Sequence, residues 1–311
     1  MFCRRRTVCT PHPNPPIDDE LAERAHFGTE TRYHRLMCRL FGFRSAIPSQ
    51  VHSSLMSAEN ALGVQAEQHP DGWGVAYYVA GSPHLIKSSA AAYDDRLFKR
   101  VSGIVSSQTV LAHVRKATVG EMSVINSHPF QYGRWVMAHN GDIRGFAEVR
   151  EDLSQLVDPR LRRFILGDTD SELIFYLFLT YLSRREELHR PGADIETVGD
   201  SLRLAVDTIR TLSAKRGLDD PLLTITITDG VMMVACCQGK ELHHSTYKAR
   251  CPERDTCPSL AFECENPSVS GYVSHFILSS EPLQGHNVWA PLADGDVVGC
   301  DWRMHQHRWA L

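Results

Sequence analysis

The groups best suited to chemistry collect in one stretch, Leu111 to Gly145, which reads LAHVRKATVGEMSVINSHPFQYGRWVMAHNGDIRG. Two apolar runs, residues 109–114 and 135–139, have strand-like composition, and each stops at hydrogen-bonding groups: Arg115 and Thr118 after the first, Asn140 and Gly141 after the second. A guanidinium grips a carboxylate with two parallel hydrogen bonds. A side-chain amide next to a glycine N–H offers two donors to an oxygen on which negative charge develops. Between the runs, Asn126-Ser127-His128-Pro129-Phe130 carries an imidazole whose backbone is biased towards extended conformations by Pro129. Singly, each has a plainer explanation: a solvated cation, a structural histidine, an Asn-Gly turn with positive φ. Two outlying features change the balance, a Cys directly after a Met at Met37-Cys38 and the segment Gly167-Asp168-Thr169-Asp170-Ser171-Glu172.

These groups need strands and helix starts to hold them. Residues 38–44 read as a buried strand, and Pro48 with Ser49 opens a helix with apolar positions at Val51, Leu55 and Leu62. Asp71-Gly72-Trp73-Gly74 is a turn feeding a strand over 75–79, and a short helix near 94–104 precedes the central stretch. Thr169 and Glu172 form a capping box ahead of an apolar helix over 173–182. Asp170 therefore sits in the first turn, where the helix dipole favours its ionised form. A second helix carries Val198, Leu202, Ala205, Ile209 and Leu212 as a core stripe and ends by Gly217. Strands over 222–228 and 231–237 flank the hairpin signal Asp229-Gly230, and others are expected near 275–279, 288–291 and 296–300. Strands, then helices, then more strands predict an α+β fold of mixed sheets with helices on their outer faces.

With 42% apolar residues, the 311-residue chain can bury a sizeable core. A balance of 33 basic and 37 acidic side chains argues against nucleic-acid and membrane partners and for small-molecule chemistry. The longest apolar run, 173–179, is far short of the roughly 20 residues that span a bilayer. Nine cysteines without regular spacing fit a reducing cytoplasm better than a disulfide framework. Cys251, Cys257 and Cys264 lack zinc-site spacing, and the sixteen histidines contain no His-Glu-x-x-His cluster, so neither a metal nor another cofactor is expected. Residues 1–37, with Arg4-Arg5-Arg6 and a Pro-rich run, read as a disordered extension or leader ahead of a domain over 38–311.

Six motifs in order resemble the class II, N-terminal-cysteine glutamine amidotransferase domain of glucosamine-phosphate synthase and of small stand-alone bacterial homologues. They are Met37-Cys38, Asp71-Gly72-Trp73-Gly74, His113-Val114-Arg115-Lys116-Ala117-Thr118, Asn126-Ser127-His128-Pro129, His139-Asn140-Gly141 and Asp168-Thr169-Asp170-Ser171-Glu172. The resemblance runs through motifs from Met37 to about Ser183 and more loosely to the end, where Ser280-Glu281-Pro282-Leu283 also looks like the stand-alone homologues. It implies the four-layer α/β/β/α sandwich of the N-terminal-nucleophile hydrolases. It also implies a reaction: cleavage of the γ-amide of glutamine through a thioester on an N-terminal cysteine, releasing glutamate and ammonia.

In that reading Cys38 is both nucleophile and, through a free α-amine of pKa about 7.7–8.0, its own base. Asn140 and Gly141 supply the oxyanion donors, Arg115 grips the substrate α-carboxylate, and Asp170 receives the α-ammonium. Thr118 and His128 take supporting roles in substrate binding; where some members have a histidine after the motif threonine, this chain has Val119. A free amine on Cys38 requires either that Met37 is the true start or that the first 37 residues are a cleaved leader. The synthase carries a second domain that consumes the ammonia; this domain is expected to act alone or with a separate ammonia-using subunit. Two alternatives stay open: hydrolysis of a larger γ-glutamyl amide, and an inactive binding partner in which Cys38 stays blocked.

Overall fold

The computed structural model describes residues 38–51, 53–57, 61–62, 71–116 and 120–311. The expected leader over 1–37 and Thr118 lie outside the described residues. Among the described residues, thirteen strands form two antiparallel sheets. One sheet holds β1 (Arg39–Gln50), β2 (Trp73–Val79), β3 (Ser82–Ser88), β4 (Ser106–Val114), β9 (His243–Ser245), β10 (His275–Ser279) and β11 (Ala290–Pro291) in the order β11-β9-β10-β1-β4-β2-β3. The other holds β5 (Phe130–Tyr132), β6 (Trp135–Asp142), β7 (Leu222–Thr228), β8 (Met233–Cys236), β12 (Asp296–Cys300) and β13 (Gln306–Ala310) in the order β13-β12-β8-β7-β6-β5.

Successive strand residues point to opposite faces, and here both faces are apolar. In β1 and β4, Leu40 and Leu111 enter a core shared with Val136 and Ala138 of β6 and with Met233 and Ala235 of β8. Their neighbours Phe41, Phe43, Val110 and Ala112 turn outward against Phe98 and Val101 of helix α1 (Arg96–Ile104). In β6, Trp135 and Met137 face the other way, towards helices α2 (Phe146–Leu156), α4 (Asp170–Leu182) and α5 (Ile195–Lys215); a short α3 (Pro159–Arg162) joins α2 to α4. The architecture is the four-layer α/β/β/α sandwich. Among the described residues no helix is long and apolar enough to cross a membrane.

Helix α4 is the seat of the site. All thirteen of its residues are buried, as expected of a helix that is apolar all round. Thr169 caps it by accepting the Glu172 N–H at 3.2 Å. The Glu172 carboxylate instead accepts from the N–H groups of Leu166 (3.1 Å) and Gly167 (2.7 Å), so the expected capping box is completed one loop earlier.

Several elements depart from expectation. The helix expected to open at Pro48 does not begin there: β1 continues to Gln50 across an irregularity between Arg44 and Ser49, where Pro48 is tolerated because the ladder is interrupted. Among the described residues a helical turn, Ser53–Ser57, follows, with Leu55 buried. The strand expected to stop at His139 runs on to Asp142, and the strand expected over 288–291 shrinks to Ala290–Pro291.

Burial of histidine makes the fold acid-sensitive. His275, opposite Ser45 in the β1–β10 ladder, is driven down to about 3 by burial, with the Lys248 charge adding to it. His128 is likewise held well below its ordinary value, first by burial. The unfolded chain protonates these imidazoles near 6.5. Because the folded pKa lies below the unfolded one, stability is fully present above about 6.5 and drains as pH falls, for His275 down to about 3. Each contributes a slope of about 1.4 kcal/mol per pH unit in its window. Denaturant titrations at pH 7, 6 and 5 should give falling unfolding free energies, and His275→Leu should flatten the slope; equal slopes in the two proteins would contradict this account.

Candidate active site

Cys38 stands immediately before β1, where Arg39 pairs with Val114 at the end of β4. The antiparallel register therefore brings Cys38 alongside the residues that follow β4. Its Sγ donates to the Lys116 carbonyl at 3.2 Å and accepts from the Lys116 N–H at 3.1 Å. Burial pushes the thiol pKa up, opposed by the Lys116 N–H and the nearby Arg115 charge. A thiol attacks only as its thiolate, so one held this way acts only when a base takes its proton.

The backbone of Arg115 is held by the turn before β2. Its N–H donates to the Gly72 carbonyl at 2.8 Å, and its carbonyl accepts from the Asp71 N–H at 3.3 Å. Trp73 roots that turn in the core, with its indole N–H on Asp95 at 3.0 Å. The Arg115 side chain, 3% exposed, bends back over its own loop and donates to the carbonyls of Glu121 (3.1 Å) and Gly120 (3.5 Å).

Asn140 and Gly141 are not a turn. They lie in β6, paired with Thr224 and Leu223 of β7. A Cβ at Gly141 would stand 1.9 Å from the Leu222 carbonyl oxygen, so only glycine lets β7 approach. The Asn140 amide donates to Ser280 Oγ at 3.3 Å. The same Oγ accepts the Leu40 N–H at 2.9 Å, and the Ser280 N–H donates to the Leu40 carbonyl at 3.1 Å. Ser280 thus ties Asn140 in one sheet to β1, the strand that follows Cys38, in the other. Sequence reasoning gave Ser280 no role; its one signal is the Ser280-Glu281-Pro282-Leu283 resemblance.

Asp170 opens α4 beside the end of β6. Its Oδ2 accepts the Ile143 N–H at 2.8 Å, and its Oδ1 accepts the N–H (2.7 Å) and hydroxyl (3.1 Å) of Ser171. Ser171 Oγ also lies 2.9 Å from His139 Nδ1, while His139 Nε2 lies 2.9 Å from the Leu222 carbonyl oxygen. His128 is buried among other rings. Its ring packs 4.3 Å from that of His113 and 4.8 Å from that of Phe130, and among the described residues neither ring nitrogen has a hydrogen-bond partner. Short contacts therefore run from Cys38 to the residue after Arg115, from Asn140 through Ser280 to the strand that follows Cys38, and from Asp170 to Ile143, two residues after Gly141.

Among the described residues no three His, Cys, Asp or Glu side chains converge as a metal site. A sequence profile of the class-II glutamine amidotransferases matches residues 37–302. The Escherichia coli protein YafJ, named for glutamine amidotransferase activity, is 26% identical over 276 residues, 86% of this chain and 97% of its own length. The gamma-glutamyl-hercynylcysteine sulfoxide hydrolase of Mycobacterium tuberculosis is 35% identical over 115 residues, 34% of this chain and 49% of its own. Among solved structures, a glutamine aminotransferase class-II domain protein from Silicibacter pomeroyi shares the fold with a TM-score of 0.60 at 20% identity, covering 88% of this chain and 99% of that one.

Proposed function

Because the chain belongs to the class II glutamine amidotransferases, a family of enzymes, we propose that it cleaves a γ-glutamyl amide through a thioester on Cys38. The observation that carries this reading is the pair of links to the nucleophile strand. Cys38 Sγ sits on Lys116, next to Arg115, and Asn140 is joined to Leu40 through Ser280.

The steps follow from the groups. The thiol attacks the γ-carbonyl carbon while its proton passes to the α-amine of Cys38, which must be free of any preceding residue to accept it. The oxyanion draws on the Asn140 amide and the Gly141 N–H. Collapse of the tetrahedral species expels the leaving amine, which takes the proton back from the α-ammonium. Water, deprotonated by the same amine, then hydrolyses the γ-glutamyl thioester and releases glutamate. Arg115 holds the substrate α-carboxylate. Asp170 receives the α-ammonium at Oδ2, which accepts the Ile143 N–H while Oδ1 accepts both the N–H and the hydroxyl of Ser171, and so retains acceptor capacity. Thr118 is a proposed substrate contact, and His128 supports the site through packing.

A second reading concerns the leaving side. Arg115 and Asp170 both address the glutamyl end, and neither constrains what is attached beyond the γ-carbonyl. This favours a permissive leaving group, and the partial similarity to the mycobacterial hydrolase points the same way. Glutamine, with ammonia handed to a separate subunit, and a larger γ-glutamyl conjugate then differ only beyond the scissile bond. Protein beginning at Cys38 should be offered L-glutamine and a panel of γ-glutamyl amides beside their α-glutamyl isomers. The γ-linked compounds should be hydrolysed and the α-linked ones spared; comparable rates on both would remove the assignment of Arg115 and Asp170.

A further inference from the structure

Behind Arg115 lies a polar knot made by Asn126 and Asp168, residues that stand in two of the family-like motifs but have no part in the mechanism above. Asn126 Nδ2 donates to Asp168 Oδ1 at 2.5 Å, and the Asp168 N–H donates back to Asn126 Oδ1 at 3.2 Å. The same Asn126 amide donates to the Glu121 carbonyl at 3.0 Å. That carbonyl is the one on which Arg115 Nη1 rests at 3.1 Å. One oxygen therefore receives both the guanidinium and the amide that immobilises it.

The knot is built with no slack. Gly120, at φ +79°, would place a Cβ 2.6 Å from Asp168 Oδ1 and 3.1 Å from Asn126 Nδ2. Gly167 would place one 2.3 Å from Asn126 Oδ1. Asn126 is 3% exposed. On the far side, Asp168 is followed by Thr169, the cap of α4, and by Asp170. The reciprocal pair thus joins the loop that carries Arg115 to the helix start that carries Asp170.

We propose that Asn126 and Asp168 are a positioning pair that fixes the distance between the two ends of the glutamyl clamp, Arg115 and Asp170. The pair touches no reacting atom, so it sets how tightly the glutamyl end is held. This rests on the γ-glutamyl reading above.

A cycle of variants in protein beginning at Cys38 tests it. Asn126→Asp sets two carboxylates against each other, removes the donor to Glu121, and should raise KM for a γ-glutamyl amide by about tenfold or more, with kcat changed far less. Asp168→Asn keeps an acceptor for the Asn126 amide and should be mild. The double variant Asn126→Asp/Asp168→Asn restores an amide–carboxylate pair with its direction reversed. It relieves the carboxylate clash without restoring the donor to Glu121, so it should recover part of the KM lost in Asn126→Asp alone, a rescue that general damage to the fold would not give. Substrates without the α-carboxylate should show little of the KM effect, because Arg115 has nothing to grip in them. Overturning results are a KM unchanged in Asn126→Asp, or a double variant no better than Asn126→Asp. If unaltered protein turns over no γ-glutamyl amide, the functional reading falls and the pair's role falls with it; turnover with an insensitive pair removes this proposal alone.

Discussion

Protein that begins at Cys38 should hydrolyse a γ-glutamyl amide, and the same protein still carrying residues 1–37 should be slower by roughly 10²–10⁴-fold, the range for loss of a general base. The reason is electronic. An amide-linked nitrogen has no basic lone pair, and the Cys38 thiol, its pKa raised by burial, is hydrogen-bonded to the Lys116 backbone and, among the described residues, to no side-chain base. Two preparations, one of the full chain and one starting at Met37 and trimmed by methionine aminopeptidase, should be compared after intact-mass measurement has established where each begins. Cys38→Ala in the trimmed form should abolish turnover and supplies the baseline. Full activity with residues 1–37 attached would rule out the α-amine as base.

Asn140→Ala should lower kcat by roughly 10²–10³-fold, the usual cost of one lost oxyanion donor, with a much smaller effect on KM. Asn140 lies in β6, held between β7 and Ser280, so its amide is aimed before substrate arrives. Truncating it also leaves Ser280 Oγ with one donor fewer, although the Leu40 N–H stays on that oxygen. The fold should survive, and a thermal melt close to that of the unaltered protein would show it. A silent Asn140→Ala, with unchanged kcat in a stably folded protein, would remove the oxyanion assignment.

What the sequence made legible was local. Alternating or uniformly apolar runs announced β6, β7 and β10, and Asp229-Gly230 announced the β7–β8 hairpin, where Gly230 adopts φ +94°. β3 gave no such signal, because SPHLIKS is largely half-exposed and carries a proline. Helix α2 was hidden because its cap is Gly145, at φ +72°, with no side-chain capping bond. Within the site, Cys38, Arg115, Asn140, Gly141 and Asp170 could be named from residue types at motif spacings. Asn126, Asp168 and Ser280 stand in motif segments too, but what they do there could not be read, since their partners lie 42, 140 and 240 residues away. The Asn-Gly pair was misleading in isolation, a turn signal placed inside a strand by the pairing of β7.

The position of β1 bears on how the molecule is made. The strand that follows Cys38 is an interior strand, flanked by β4 on one side and by β10 on the other. Its contact with Ser280 spans 240 residues. During synthesis, β1 emerges early and can pair with β4, yet its other edge keeps unpaired N–H and C=O groups until residues 275–280 have left the ribosome. Pairings of such long range are slow to close. β1 and the Ser280 link to Asn140 are therefore completed late, and a nascent or prematurely terminated chain that stops short of residue 280 carries the Cys38 thiol beside a strand with one edge still unpaired.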